Sequence, residues 1–277
     1  MGYMTRKSAL HKFFDLVCSI SPRLKRSVWR ILYRYIAGLD KEAQVIFMNY
    51  GYASESEKIR LRKIDEKNRY CIQLYHHVAS AINLKGKDLL EVGCGRGGGS
   101  SYIMQYFKPS SMTGIDFSGK SIEFCKKFYS VKGLSFYVGD AEFLPFEDNK
   151  FDAVISIESS HCYGNMNQFL REVFRVIRLN GYFLFADFRN KDEISNLRKQ
   201  LAHSGFELVR EEKITQYVLR ALELDNSRRL KLVQKVPSML HKSFSDFAGL
   251  KGTETYESFR SGDREYFNFV LNKKIKK

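Results

Sequence analysis

Asp88-Leu89-Leu90-Glu91-Val92-Gly93-Cys94-Gly95-Arg96-Gly97-Gly98-Gly99 reads as a short apolar strand that runs into glycines and opens a helix. Glycine lets a backbone turn sharply, and the missing Cβ lets a ligand approach the main chain. Gly93, Gly95 and Gly98 match the G-x-G-x-x-G spacing. That match alone is weak: it suits a nicotinamide dinucleotide, another adenosine-bearing ligand or a tight turn with no ligand.

Outward from this loop the pattern repeats. Residues 111–116, 134–140, 151–157 and 181–187 are further strand-like runs, and helical stretches at 98–108, 118–129 and 166–178 fall between them. Strands alternating with helices imply right-handed βαβ units. The expected fold class is α/β, a doubly wound, mostly parallel sheet with helices on both faces. Such sheets bind ligands beyond the carboxyl ends of their strands. Residues 190–245 read as mostly helical, with a strand signal only near 206–209, and 265–271 alternates as a final strand. The domain reading is a helical extension or lid over 1–67, then a domain over 68–277 with a helical cap insertion at about 210–250.

The acidic residues at strand ends narrow the ligand. Asp116 ends the second strand, and Gly139-Asp140-Ala141-Glu142 puts another carboxylate at the end of the third. A dinucleotide has no general need of that second carboxylate, whereas one adenosine does. Asp116 suits the ribose hydroxyls, Asp140 the adenine amino group, and the Ala141 amide the adenine ring. From Glu91 to Asp187 these motifs resemble the class I methyltransferase signature on a Rossmann-like fold. The resemblance implies S-adenosylmethionine as cofactor, held by Glu91, Gly93, Gly95, Asp116, Phe117, Asp140, Ala141 and Glu158. The cofactor's positive charge is lost in transfer, so no metal is required.

The fourth strand continues as Glu158-Ser159-Ser160-His161-Cys162-Tyr163, without the Asn/Asp-Pro-Pro-Tyr of amino-group methylation, and no Pro-Cys pair points to ring methylation of cytosine. Cys94 and Cys162 read as packing residues. Nucleic-acid modification is thereby disfavoured. His161 falls just past the fourth strand, where an imidazole with a pKa near neutrality could take the proton of an acceptor hydroxyl. Asp187, ending the fifth strand, would orient it. The plainer reading leaves His161 as a loop hydrogen-bonder and Asp187 as a turn cap.

Glu91 to Ile103, Gly139 to Phe146, Glu158 to Tyr163, Ala186-Asp187-Phe188-Arg189, and Phe247 to Tyr266 with Arg260-Ser261-Gly262-Asp263 also carry a closer likeness. With the Asn68-Arg69…Leu74-Tyr75-His76 helix they resemble the phthiotriol/phenolphthiotriol dimycocerosate O-methyltransferases, from about Ile46 to the C-terminus. This implies O-methylation of a hydroxyl on a hydrophobic lipid or polyketide. Two alternatives stay open: a C-methyltransferase of sterol-like or quinone substrates, with Glu158 as base, and a non-catalytic cofactor-binding protein.

Five scattered cysteines without a Cys-x-x-Cys pair read as reduced thiols of a cytoplasmic protein. No apolar run approaches membrane-spanning length. The formal charge of +15 is densest in the first forty residues and in the Lys273-to-Lys277 tail. Leu24, Val28, Ile31, Leu32, Tyr35 and Ile36 recur at helical spacing among Arg23, Lys25, Arg26, Arg30 and Arg34. That pattern fits either a helix packed on the domain or a peripheral contact with an anionic membrane through 23–36.

Overall fold

The computed structural model describes residues 45–274, apart from Lys58. A seven-stranded sheet carries the order β3-β2-β1-β4-β5-β7-β6. Its strands are β1 Asp88–Val92, β2 Ser111–Asp116, β3 Leu134–Val138, β4 Phe151–Ile157, β5 Ile177–Asn190, β6 Glu207–Lys213 and β7 Arg264–Asn272. The first five run parallel, while β7 lies antiparallel to both β5 and β6. The connections reverse direction between β1 and β4, which places the ligand crevice above the glycine loop.

Alternation along the strands builds two cores. Leu89, Ile155, Leu184 and Val270 join one apolar cluster, while Leu90, Val154, Phe183 and Phe269 join the other. A period of two sends successive side chains to opposite faces, so a sheet covered on both sides reads as a continuous apolar run. The helices are α1 Arg69–Ala79, α2 Gly98–Phe107, α3 Gly119–Phe128, α4 Met166–Val176, α5 Ile194–Ala202, α6 Thr215–Val233, α7 His241–Phe247 and α8 Glu254–Ser261. In α4, Phe169, Leu170, Val173 and Val176 form one buried stripe, and Asn165 caps the helix by accepting from the Gln168 amide at 3.1 Å. No described helix is long and apolar enough to cross a membrane.

Two expectations need correction. The strand signal near 206–209 extends to Glu207–Lys213, because this charged segment bonds along the edge of β7. Pairing with an existing strand overrides the weak strand preference of Arg210-Glu211-Glu212. The described residues of 45–65 are not helical; the stretch from Ile46 to Ala53 runs as a strap whose first residues, Ile46 to Asn49, line the cavity beside the glycine loop. Their backbone groups bond outward: Ile46 accepts from Gly98, the Tyr52 amide donates to Tyr70, and the Ala53 amide donates to Tyr217. Tyr50 and Tyr52 belong to the same apolar cluster as the sheet, so the strap packs on the domain. The basic 23–36 segment lies outside the described residues.

Candidate active site

The glycine loop is shaped by contact on both sides. Gly93 has φ +78°, and a Cβ there would lie 2.4 Å from the Ser159 Cβ. A side chain at 93 would strain the backbone and displace the loop after β4. The loop, the strap and the strand ends enclose a cavity whose lining includes Met48, Asn49, Gly93, Gly95, Asp116, Phe117, Asp140, Ala141 and Glu158.

Asp116 is built into this wall. Its Oδ2 accepts from the Gly95 amide at 3.0 Å and its Oδ1 from the Ser118 amide at 2.8 Å. Burial raises its pKa, and these two amides oppose that shift. Each carboxylate oxygen keeps a further lone pair for a ligand hydroxyl. Asp140 accepts from the Glu142 amide at 2.9 Å, which orients the acidic turn after β3. Glu142 in turn accepts from the Gly164 and Asn165 amides at 2.9 and 3.0 Å, tying this turn to the loop after β4. On the strap, Asn49 is 5% exposed, and its Oδ1 has no hydrogen-bond partner among the described residues. A buried, unpaired acceptor on a cavity wall calls for a donor from a bound molecule. The set of acceptors therefore fits an adenosine that carries an amino-acid tail.

Glu91 is placed differently from the expectation. It is fully buried behind the loop and is absent from the cavity lining. Its carboxylate accepts from Tyr75 Oη at 2.7 Å and from Ser100 Oγ. Burial pushes its pKa up to about 7 against those two hydroxyls. Tyr75, not Glu91, faces the cavity. A Cβ on Gly99 would lie 1.9 Å from the Tyr75 ring, so the third glycine of the Gly97-Gly98-Gly99 run makes room for Tyr75.

His161 and Asp187 come together. His161 Nδ1 stands 2.9 Å from Asp187 Oδ1, and the His161 amide donates to Oδ2 at 3.0 Å. Asp187 is fully buried and also accepts from Ser160 Oγ at 2.6 Å and from the Phe188 amide at 2.9 Å. Arg189 Nη1 lies 3.2 Å from the same carboxylate. Burial alone would raise the pKa of Asp187, but His161, Arg189 and Ser160 together hold it well below the usual carboxylate range. A carboxylate only accepts, so Nδ1 carries hydrogen and Nε2 is the nitrogen that titrates. Burial lowers the imidazole pKa, yet Cys162 and Asp187 outweigh it and push it up to about 10. The expectation of a pKa near neutrality is corrected accordingly, because Cys162 and the buried Asp187 carboxylate both favour the imidazolium. His161 itself is not part of the cavity lining; its neighbours Glu158, Ser159, Cys162 and Tyr163 are. Its ring packs on Phe188 at 4.3 Å between centroids, beside Tyr50 and Phe259.

Glu158 directly follows β4 with φ +48°, rare for a residue with a side chain. Its Oε1 accepts from the Tyr50 amide at 2.8 Å. Sequence reasoning assigned no role to the strap residues Met48 and Asn49, to Tyr75 or to Arg189. For Met48, Asn49 and Tyr75 the signal was spatial, since each meets the site from an element remote in the chain; Arg189 stands two residues beyond Asp187 on β5.

Residues 90–185 match the methyltransferase-domain family. A fatty-acid O-methyltransferase of Mycolicibacterium smegmatis is 37% identical over 246 residues, covering 88% of this chain and 89% of that protein. A phthiotriol/phenolphthiotriol dimycocerosates methyltransferase of Mycobacterium tuberculosis is 37% identical over 251 residues, covering 90% and 93%. The geranyl diphosphate C-methyltransferase of Streptomyces coelicolor shares the fold, with a TM-score of 0.62 and 14% identity over 87% of this chain and 98% of that one. A sheet with this strand order, a glycine loop facing an adenosine-suited cavity, and relatives alike along nearly their whole length lead to one assignment: the chain belongs to the S-adenosylmethionine-dependent methyltransferases, in the family of the phthiotriol/phenolphthiotriol dimycocerosates and fatty-acid O-methyltransferases.

Proposed function

We propose that this methyltransferase alkylates an oxygen of a hydrophobic, lipid-type acceptor, with His161 as general base and Asp187 as its orienting partner. The observation that carries the reading is the 2.9 Å His161–Asp187 pair beside the loop that lines the cofactor cavity. S-adenosylmethionine, when bound, supplies an electrophilic methyl group and a positive charge that disappears on transfer. Asp116 would hold the ribose, Asp140 and the Ala141 amide the adenine, and Asn49 Oδ1 the amino group of the amino-acid tail.

A hydroxyl oxygen is a poor nucleophile until its proton leaves, and proton removal in the transition state suits an imidazole held in one tautomer. Asp187 fixes that tautomer and stabilises the imidazolium that forms. Nearby positive charge favours the neutral imidazole, so a bound sulfonium would lower the pKa of His161 toward the working range. Lipid acceptors are proposed because the two relatives are named for phthiotriols and fatty acids. Incubation with long-chain alcohols and fatty acids, read by product mass spectrometry, should show one methyl group added at oxygen. A methyl group found only on carbon would overturn the reading.

Peripheral membrane contact through the basic 23–36 stretch belongs to the same proposal, motivated by the spacing of its apolar residues among arginines. Deleting residues 1–40 should abolish binding to anionic vesicles. It should leave cofactor affinity nearly intact, because every described residue that lines the cavity, from Ile46 onward, is retained. Equal vesicle binding by both chains would remove the membrane element.

A further inference from the structure

Arg229 lies on α6, in the stretch between β6 and β7, and is 7% exposed. Buried guanidinium groups persist only where their donors are satisfied and their charge is paired. Here Nε reaches Asp225 Oδ2 at 3.0 Å, and Nη1 donates to the Ala248 carbonyl at 3.1 Å. Nη2 donates to two strap carbonyls, Asn49 and Tyr50, each at 3.0 Å.

The Asn49 carbonyl and the Tyr50 amide belong to one peptide unit. Its oxygen takes a hydrogen bond from Arg229, and its N–H gives one to Glu158 Oε1 at 2.8 Å. A cation on the carbonyl polarises a peptide and strengthens its N–H as a donor, as in any hydrogen-bonded chain. Glu158 lines the cavity in a left-handed backbone conformation, a strain that surrounding structure must hold in place.

We infer that Arg229 is a positioning residue: it fixes the Asn49–Tyr50 peptide so that its N–H stays on Glu158, and so keeps Glu158 available as an anion for the cofactor's cationic sulfur. The inference rests on the cofactor placement proposed above and adds a role for a side chain outside the cavity. Burial pushes Glu158 up to about 8 against the opposing pull of the Tyr50 amide. The other groups facing Glu158 are Asp187 on β5, His161 in the turn after β4, and Tyr266 on β7. Tyr75 on α1 and Cys71 also feel its charge. Asp187 opposes ionisation of Glu158, and His161 favours it.

The test compares S-adenosylmethionine with S-adenosylhomocysteine, which lacks the methyl group and the positive sulfur, by calorimetric binding across pH 6–9. A carboxylate that answers the cation favours the first ligand only. In the parent chain, affinity for S-adenosylmethionine should rise with pH toward the Glu158 midpoint, while that for S-adenosylhomocysteine stays flat. Arg229→Lys should weaken S-adenosylmethionine about tenfold at pH 7 and move the rise up by about one pH unit, with S-adenosylhomocysteine within about threefold. Glu158→Gln should abolish the discrimination, and Arg229→Lys added to it should have no further effect on the ratio. Asp116→Ala serves as the contrast, weakening both ligands alike by about ten- to a hundred-fold because each carries the ribose.

Equal loss of both ligands in Arg229→Lys would reduce Arg229 to a fold-stabilising residue and overturn the inference. So would a normal ratio in Arg229→Lys beside a collapsed one in Glu158→Gln, which leaves the cofactor placement standing. An unchanged, pH-dependent ratio in Glu158→Gln would overturn the placement of Glu158 itself. If Arg229→Lys does not fold, that single-variant comparison at Glu158 still decides whether the relay has a carboxylate to act on.

Discussion

Replacing His161 with alanine should lower turnover by about a hundred- to ten-thousand-fold, the usual worth of a general base, with affinity for S-adenosylhomocysteine, whose sulfur is uncharged, nearly unchanged. Proton removal matters in the transition state and contributes little to holding the cofactor, so the loss should fall on kcat. The pH–rate profile of the parent chain should climb with pH as the imidazolium loses its proton. The midpoint should lie well above the ordinary histidine range, because Cys162 and Asp187 outweigh burial and push the imidazole up to about 10. At saturating cofactor the same limb should move to lower pH, since a bound cation disfavours the imidazolium. In His161→Ala the limb should vanish. Turnover within a few-fold of the parent, with the limb intact, would hand the proton to another group, and Glu158 would be the next candidate.

The second large effect is on stability. Asp187→Ala should destabilise the fold by about 3–5 kcal/mol, the range for removing one partner of a buried ion pair. Its carboxylate is fully buried and is the common acceptor for Ser160 Oγ, the His161 and Phe188 amides, His161 Nδ1 and Arg189. Without it, Arg189 and His161 are left as inward-facing cations. For a chain of this size the melting temperature should drop by roughly 10 °C. Asp187→Asn keeps the shape and should melt closer to the parent, yet it should slow turnover because the tautomer is no longer enforced. Its loss and that of His161→Ala should not add, since both side chains act as one unit.

This destabilisation should depend on pH in a defined direction. His161 has a raised pKa when folded, so its contribution is full below about 6.5, the unfolded value, and is lost as pH rises through about 10. Asp187 has a lowered pKa when folded. Its contribution is present above about 3.9, the unfolded value, and is lost as pH falls through the folded one. The penalty of Asp187→Ala should thus be largest between about pH 4 and 6.5 and should shrink toward alkaline pH. Melting curves for the two chains that stay parallel from pH 5 to pH 10 would show that the pair carries no such linkage.

The amino-acid sequence determined the α/β fold class, because continuous apolar runs such as Leu89-Leu90 and Phe183-Leu184-Phe185 suit only strands covered on both faces. It also determined the cofactor class: strand-end carboxylates and closely spaced glycines are local features, legible within a few residues of one another. What lay beyond it was set by contacts between distant segments. Glu91 sits in the same motif as Gly93, yet Tyr75 and Ser100 draw it behind the loop. The strap at 46–50 has no periodicity of its own, since its hydrogen bonds go to Gly98, Glu158 and Arg229 instead of to its own neighbours. The high pKa of His161 likewise arises from Cys162 beside it together with an anion contributed by another strand. Local pattern encodes which face of an element is buried. Which polar groups meet in that buried space, and with what charge, is decided only when the sheet closes over them, because desolvation and pairing depend on tertiary proximity.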